Sequence, residues 1–209
     1  MANPCYNKVI IGHKELIKVK DLYHITSGDF FEYIKPYPIE LYNNNDSNNN
    51  QYLKEEYGSD NLYDWIMNNW DSMKPYQRTV ERTLSHDGSF LMLQFDTPWS
   101  PPIGIYKELE RQGYHLRAYF FSPYSWFCGS FIYGVGDWYN ILSDHQDIPQ
   151  DIDRMFGVDG WMKGYDCEEG CEYPDNSDDH DDQEVDLEYT SSLKIDKEDF
   201  GAILLSVAN

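Results

Sequence analysis

The negative charge of this chain is concentrated towards one end. Residues 1–136 hold 16 acidic and 12 basic side chains, whereas residues 137–209 hold 21 acidic and 4 basic ones. Residues 166–188 contain 12 carboxylates and no Lys or Arg. Such a field repels nucleic acid and attracts basic surfaces or cations. Together with the predicted strands and helices, this charge distribution indicates a folded body over residues 1–142, followed by an acidic module over residues 143–209.

The body has the side chains for a core despite the overall charge. A chain of 209 residues suits one domain, or one domain with a small appendage. It holds 18 Tyr, 10 Phe and 6 Trp, and each buried aromatic removes roughly 150–250 Å² from water. The Asn-rich run at residues 43–51 favours turns, because asparagine side chains compete for backbone hydrogen bonds. We therefore expect a folded body with a surface loop insertion at 43–51.

Hydrophobic periodicity and turn residues predict alternating strands and helices in the body. Strands are expected at 5–12, 76–85, 89–97, 114–121, 126–133 and 135–142, and helices at 14–24, 60–70 and 100–112. Residues 149–156 suggest a short helix, and the acidic module is expected to carry a short strand at 184–189 and a terminal helix at 197–207. Two β-α-β units with antiparallel hairpins indicate an α+β fold with one sheet and helices on one face.

Three boundaries have specific predicted causes. Asp60 is expected to cap the helix that ends near Trp70, and Ser100 to cap the helix that Gly113 stops. The strand within residues 89–97 alternates poorly, which predicts a central strand buried on both faces.

Several short motifs resemble the Api-ninety-two-like family of phage and conjugative-plasmid proteins. They are Asn3–Asn7, Tyr57-Gly58, Asn61–Trp65, Asn68–Trp70 and Thr97–Pro102. The resemblance covers about residues 3–135, and Asp71 stands where the family pattern has a glycine. It implies a mobile-element origin and a ferredoxin-like antiparallel sheet with helices on one face, and it implies no reaction.

Within these motifs Trp65, Trp70 and Trp99 are interpreted mainly as anchors between helix and sheet, with a ligand-binding surface as the alternative.

The cysteine count and the N-terminus favour a reducing compartment. The first residues become charged at once, without the apolar run of a secretion signal. No apolar run approaches the roughly 18 residues of a membrane span. With four cysteines in such a chain, we expect a cytoplasmic protein of the bacterial host with reduced thiols, and no membrane partner.

The acidic module contains two candidate metal sites. Cys167, Cys171 and His180 supply three zinc ligands, but a fourth would have to come from Cys5 or Cys128 through the fold. A calcium loop starting at Asp175 lacks the glycine at its sixth position, where this chain has His180. No cofactor is therefore expected, with zinc as the one open possibility.

Catalysis and direct nucleic-acid binding have weaker support. The six histidines form no metalloprotease motif and lie beside no nucleophile elbow, so we expect no enzyme. A sheet face could stack bases on aromatics, with candidates Tyr119, Phe121, Phe127 and Phe131. Phosphates would then need the basic residues Lys74, Arg78, Arg82, Lys107, Arg111 and Arg117. The net charge of −21 argues against this alternative.

The leading hypothesis is acidic mimicry of nucleic acid. Carboxylates can occupy the basic groove of a host or defence protein that binds nucleic acid. The side chains expected to do so are Asp166, Glu168, Glu169, Glu172, Asp178, Asp179, Asp181 and Asp182. Such a non-catalytic protein would inhibit its partner. The alternatives are a solvated acidic tail, and an accessory protein that binds a metal or a small molecule in an aromatic-lined pocket.

Overall fold

A computed structural model describes residues 2–26, 29–43, 51–76, 80–144 and 147–165. These residues contain one six-stranded sheet in which neighbouring strands are antiparallel and follow the order β2-β3-β1-β4-β5-β6. The strands are β1 (Pro4–Gly12), β2 (Glu81–Leu84), β3 (Phe90–Pro98), β4 (His115–Ser122), β5 (Phe127–Ile132) and β6 (Val135–Asn140).

The described ranges also contain eight α-helices. They are α1 (Leu16–Ile25), α2 (Phe30–Ile34), α3 (Ile39–Asn43), α4 (Gln51–Tyr57), α5 (Leu62–Trp70), α6 (Ile103–Arg111), α7 (Gln150–Phe156) and α8 (Val158–Tyr165). No helix of the described ranges is long and apolar enough to cross a membrane.

The strand order confirms the predicted ferredoxin-like fold. The chain runs from β1 through helices to β2, turns into β3, crosses through α6 and returns as β4, which is the β-α-β-β-α-β pattern. The four strands lie in the order β2-β3-β1-β4, with β1 and β3 in the middle. Strands β5 and β6 then widen the sheet beyond β4. Their two-residue connection has positive φ at Tyr133 and Gly134, as a type I′ hairpin turn requires.

The core lies between the helices and one face of the sheet. Along β1 every second side chain points to this face, and Val9 and Ile11 pair across the ladder with Leu93 and Leu91 of β3. The same side of β4 adds Leu116 and Ala118. The other face carries more polar positions, so β3 alternates between buried and partly exposed residues and is not buried on both faces as predicted.

Helices α5 and α6 approach each other closely at one glycine. A Cβ atom added to Gly104 would lie 1.9 Å from the carbonyl oxygen of Asn69, so only a residue without a side chain fits there. The next residue, Trp70, is fully buried, and its indole Nε1 donates to the carbonyl oxygen of Lys35 at 2.9 Å. Trp70 and Trp65 are therefore core anchors, as predicted.

Both predicted helix caps differ from the observed ones. The side chain of Asn61, not Asp60, accepts from the backbone N–H of Asp64 at the start of α5. Pro102 occupies the N-cap position of α6 without a side-chain cap, and the Ser100 hydroxyl bonds elsewhere. The predicted stop of α6 is correct, because Gly113 follows it with φ +89°.

The described residues belong to two compact units, Met1–Ile148 and Pro149–Asn209. In the second unit, α7 and α8 are joined by Gly157 at φ +64°, and the carboxylate of Asp153 accepts from the backbone N–H of Asp159 at 2.8 Å. The unit boundary follows the predicted division at 142/143 by six residues. The predicted strand at 184–189 and helix at 197–207 lie outside the described residues.

Candidate partner-binding surface

The residues predicted to bind a partner all follow the last described residue, Tyr165. They are Asp166, Glu168, Glu169, Glu172, Asp178, Asp179, Asp181 and Asp182, and the zinc candidates Cys167, Cys171 and His180 lie in the same segment. Their roles stay predictions. The structure does describe the carboxylates of residues 137–159 and most of the side chains named in the competing hypotheses.

The carboxylates between residues 137 and 159 divide into two kinds. Some serve as local hydrogen-bond acceptors: the side chain of Asp144 accepts from the backbone N–H of Asn140 and from the Ser143 hydroxyl, both at 2.9 Å. Others are exposed, namely Asp137, Asp147 and Asp159. The negative field of the C-terminal part therefore begins on the described surface, before residue 166.

Two of the basic residues proposed for phosphate binding are paired with carboxylates. Lys74 is paired with Glu32 and Asp29, and Arg111 with Glu108.

Two further arginines lie over aromatic rings, Arg82 at 5.0 Å from the Tyr23 centroid and Arg117 at 5.7 Å from that of Tyr133. They also belong to opposite faces of the sheet, because Arg82 pairs with the core residue Leu93 whereas Arg117 pairs with Ile10. Arg78 lies outside the described residues.

The predicted aromatic platform for bases is also not formed. Phe131 faces the helices and belongs to the core, and Phe127 lies on the same side of β5. Tyr119 and Phe121 point to the opposite face, where both are buried. Four aromatics that are divided between two faces, of which Tyr119 and Phe121 are buried, cannot stack successive bases of one strand.

Cys5 and Cys128, each considered as the fourth zinc ligand, are buried on opposite faces of the sheet. Cys5 points into the core and pairs with Thr97, whereas Cys128 pairs with Phe121 and so lies on the other face with Tyr6. Both are fully buried, and burial raises the pKa of the Cys5 thiol well above its usual range. Zinc binds the thiolate form. Within the ranges that the structure describes, no three His, Cys, Asp or Glu side chains are placed to hold a metal ion.

The face of the sheet opposite to the core carries a carboxyl group, Asp96, with a raised pKa. Partial burial, reinforced by the charge of Glu81, raises the pKa of Asp96 to about 6. On β1, Lys8 lies two residues beyond Tyr6, the cross-strand partner of Asp96, and burial lowers its pKa. Gln94, the cross-strand partner of Lys8, donates a hydrogen bond to Glu81 at 3.4 Å. This half of the face is therefore polar and carries a group that titrates just below neutral pH.

The comparisons with known proteins now bear on this architecture. Residues 76–159 match the family model described as the ferredoxin-like domain in Api92-like protein. This range is similar in sequence to that ferredoxin-like domain, and we call it the Api92-like range. The resemblance read from the motifs is thereby confirmed over this range. No curated protein and no solved structure matches the chain significantly.

The Api92-like range does not contain the whole sheet. It holds β2 to β6, whereas the central strand β1 is contributed by residues 4–12. Strand β1 lies between β3 and β4 in the sheet and pairs with both. The Api92-like range connects β3 to β4 through α6, but it contains no strand that fills the place between them. Residues before the matched range are therefore required to complete the ferredoxin-like sheet.

One end of this sheet carries a group of exposed side chains that the sequence did not reveal. Trp99 follows β3 with φ +63°, and its side chain is 48% exposed, contrary to its predicted role as a core anchor. Its backbone N–H donates to the carbonyl oxygen of Asn3 at 2.8 Å, and the Asn3 amide reaches the carbonyl oxygen of Tyr124 at 3.5 Å. Tyr124 is exposed as well.

Asp71 lies beside the same loop. It ends α5 with φ +62°, its backbone carbonyl accepts from the Ser100 hydroxyl at 2.5 Å, and the hydroxyl of Ser72 donates to the carbonyl of Pro98 at 3.1 Å. We call Asn3, Asp71, Trp99 and Tyr124 the Trp99 surface. The positive φ of Trp99 was the signal that sequence reasoning lacked, since residue type alone predicts burial for tryptophan.

Proposed function

We propose that this protein is a non-catalytic inhibitor, which binds a host or defence protein at its nucleic-acid-binding site. Its carboxylates would take the place of phosphates there. One observation carries the proposal: residues 166–188 hold 12 carboxylates and no compensating Lys or Arg. A partner with a basic groove would gain the release of bound counterions, as it does on binding DNA.

Charge density sets a requirement on this segment. Duplex DNA carries one charge per roughly 1.7 Å of helix axis. Twelve charges over 23 fully extended residues, at about 3.3 Å each, give one charge per roughly 6 Å. An extended segment is therefore too dilute to imitate a duplex. The proposal requires that the segment fold compactly on its partner, or that Asp159, which belongs to the same unit, add to the same surface.

The competing role as a nucleic-acid-binding protein is less well supported by the described residues. Lys74 and Arg111 are paired with carboxylates, and the candidate aromatics point to two different faces. The proposal is restricted to binding because the sequence holds no catalytic motif.

The test combines affinity capture with competition by DNA. Full-length protein is immobilised, incubated with bacterial lysate and washed, and bound proteins are released with a DNA duplex. We expect proteins that bind nucleic acid to be retained and then displaced, and retention to fall steeply between about 50 and 200 mM salt. If no retained protein binds nucleic acid, or if a saturating duplex displaces none, the proposal is wrong.

A matched pair of variants separates the effect of the acidic segment on retention from the effect of overall net charge. One variant changes Asp178, Asp179 and Asp182 to Asn, and the other neutralises the exposed body residues Glu15, Asp21 and Glu56. Both remove three negative charges from the same chain. We expect loss of retention only in the first variant. Equal loss in both would show that net charge, and not the acidic segment, causes the binding.

A further inference from the structure

We infer that the Trp99 surface is a second binding site, which takes an arginine or lysine side chain from a partner protein. This site lies on the folded body, and it goes beyond the proposed role of the acidic segment. The inference rests on two residues with left-handed backbone conformation, the hydrogen bonds that link their loops, and the negative charge of Asp71.

The first observation is the combination of strain and exposure at Trp99. A left-handed backbone costs an L-residue roughly 1–2 kcal/mol, and glycine avoids that cost. Burial of the side chain normally offsets such a cost. Here about half of the Trp99 side chain remains in water. The largest aromatic side chain is therefore kept at a position where stability alone favours glycine, and strain of this kind is typical of functional sites.

The second observation is the same conformation at Asp71. This residue ends α5 in the left-handed region, where glycine is the usual choice. The chain instead has an exposed carboxylate there. Asp71 is the C-cap of a helix, where a negative charge meets the negative end of the helix dipole. Aspartate tolerates the left-handed region, whereas the helix dipole disfavours its charge; the carboxylate also favours the charged form of Lys35.

Hydrogen bonds keep the two residues together. Pro98 and Ser100, the chain neighbours of Trp99, bond to Ser72 and Asp71 respectively. On its other side, Trp99 is tied through Asn3 to the backbone of Tyr124. The tryptophan ring and the carboxylate thus belong to two loops that are fixed against each other before any ligand binds, which lowers the entropy cost of binding.

The chemistry of these groups selects a cation. The face of an indole ring attracts guanidinium and ammonium groups, and tryptophan does so more strongly than other aromatics. The Asp71 carboxylate, on a loop that is hydrogen-bonded to the Trp99 loop, can add a charge-assisted hydrogen bond and repels phosphate or carboxylate ligands. Tyr124, whose backbone is bonded to Asn3, is exposed as well and can offer an apolar surface for the methylene groups of such a side chain. A basic protein segment matches all three features.

The experiment uses the full chain and two blocked pentapeptides that differ in one group. One peptide has arginine at its centre, and the other has citrulline, which keeps the shape and lacks the charge. The indole N–H signals of Trp99 and Trp138 are followed by ¹H–¹⁵N NMR up to about 10 mM peptide, since an exposed site of this size binds weakly. Trp138 is a matched reference because its side chain is 50% exposed.

We expect the arginine peptide to shift the Trp99 signal in a saturable way, with binding at least about threefold weaker for the citrulline peptide. Asp71→Asn preserves the backbone, because asparagine tolerates the left-handed region, and it should weaken arginine binding by a similar factor. Trp138→Ala should leave the Trp99 shift unchanged.

Three results would overturn the inference: no shift of Trp99 over the titration, equal binding of the citrulline peptide, or unchanged affinity in Asp71→Asn. The acidic segment attracts the same peptide, but the readout at Trp99 and Asp71 is local. Failure here therefore leaves the proposed role of residues 166–188 intact, and loss of that role would leave this site intact.

Discussion

Gly104 and Asn69 are in backbone contact where α6 crosses the end of α5, and a Cβ on Gly104 would lie 1.9 Å from the Asn69 carbonyl oxygen. Gly104→Ala must therefore move one helix relative to the other. We expect a loss of about 2 kcal/mol or more in the free energy of unfolding, measured by urea denaturation. Gly160→Ala is the matched control, because that helical glycine has open space around its Cβ direction. A Gly104→Ala protein as stable as wild type would contradict the observed helix contact.

Two tryptophans of the resemblance motifs should respond differently to the same substitution. Trp70→Phe removes a fully buried indole and its hydrogen bond to Lys35, so we expect a loss of about 2–3 kcal/mol in unfolding free energy. Trp99→Phe changes a half-exposed ring and should cost less than about 1 kcal/mol. Urea unfolding of both variants checks this. Equal losses would mean that Trp99 is a core anchor after all.

The raised pKa of Asp96 predicts that part of the stability is lost as the pH rises. Its folded-state pKa of about 6 lies above the value near 4 of an unfolded chain. Below pH 4 the carboxyl is neutral in both states. Between pH 4 and 6 the unfolded state ionises first, so folding becomes less favourable. Asp96→Asn should therefore be more stable than wild type above pH 6, by on the order of 1 kcal/mol after solvent screening.

Asp87, in the turn between β2 and β3, has a pKa that is shifted in the opposite direction. Hydrogen bonds from the backbone and hydroxyl of Ser89 and from Ser85 lower the pKa of Asp87 to about 2. Its carboxylate therefore stabilises the fold above pH 4, and that contribution disappears as the pH falls towards 2. Asp87→Asn should be less stable than wild type at neutral pH. Thermal melts of Asp96→Asn and Asp87→Asn from pH 3 to 8 test both predictions. If the two substitutions change the stability in the same direction at neutral pH, the assignment of opposite pKa shifts is wrong.

The burial of Cys5 and Cys128 predicts slow thiol chemistry. Both side chains are inaccessible, and the raised pKa of Cys5 keeps it as the unreactive thiol. We expect neither to be alkylated by iodoacetamide at pH 8 in the native protein, and both to react in denaturant. Peptide mass spectrometry locates the label. Rapid native labelling of either residue would show that the sheet opens at that position.

The sequence predicted the sheet well because its signals are local. The β-branched and aromatic residues of the segments 5–12 and 114–121 define strands through nearest-neighbour chemistry. The stop of α6 at Gly113 is of the same kind. The four short helices before α5 were only partly foreseen, since five-residue segments such as Phe30–Ile34 acquire stability from tertiary packing and carry little periodicity of their own.

The candidate site was less accessible to sequence reasoning. Which face of the sheet Tyr119 or Phe127 occupies depends on strand register, and a shift of one residue exchanges the faces. The exposure of Trp99 depends on a positive φ imposed by contacts with Asn3 and with the loop at Asp71, and these are distant in sequence. The acidic composition of residues 166–188, in contrast, could be recognised from the sequence alone, because counting charged residues requires no knowledge of the fold.

The position of β1 has a consequence for how this protein can be divided. A fragment that begins at residue 76 would keep every strand but one, yet the missing strand is the one between β3 and β4. Its two remaining sheets, β2-β3 and β4-β5-β6, would each have a newly unpaired inner edge rich in apolar side chains. Such a truncation should precipitate or pair with other chains, and adding back a peptide of residues 1–15 should restore solubility. The segment that the family model recognises is thus not a unit that can be excised and studied alone.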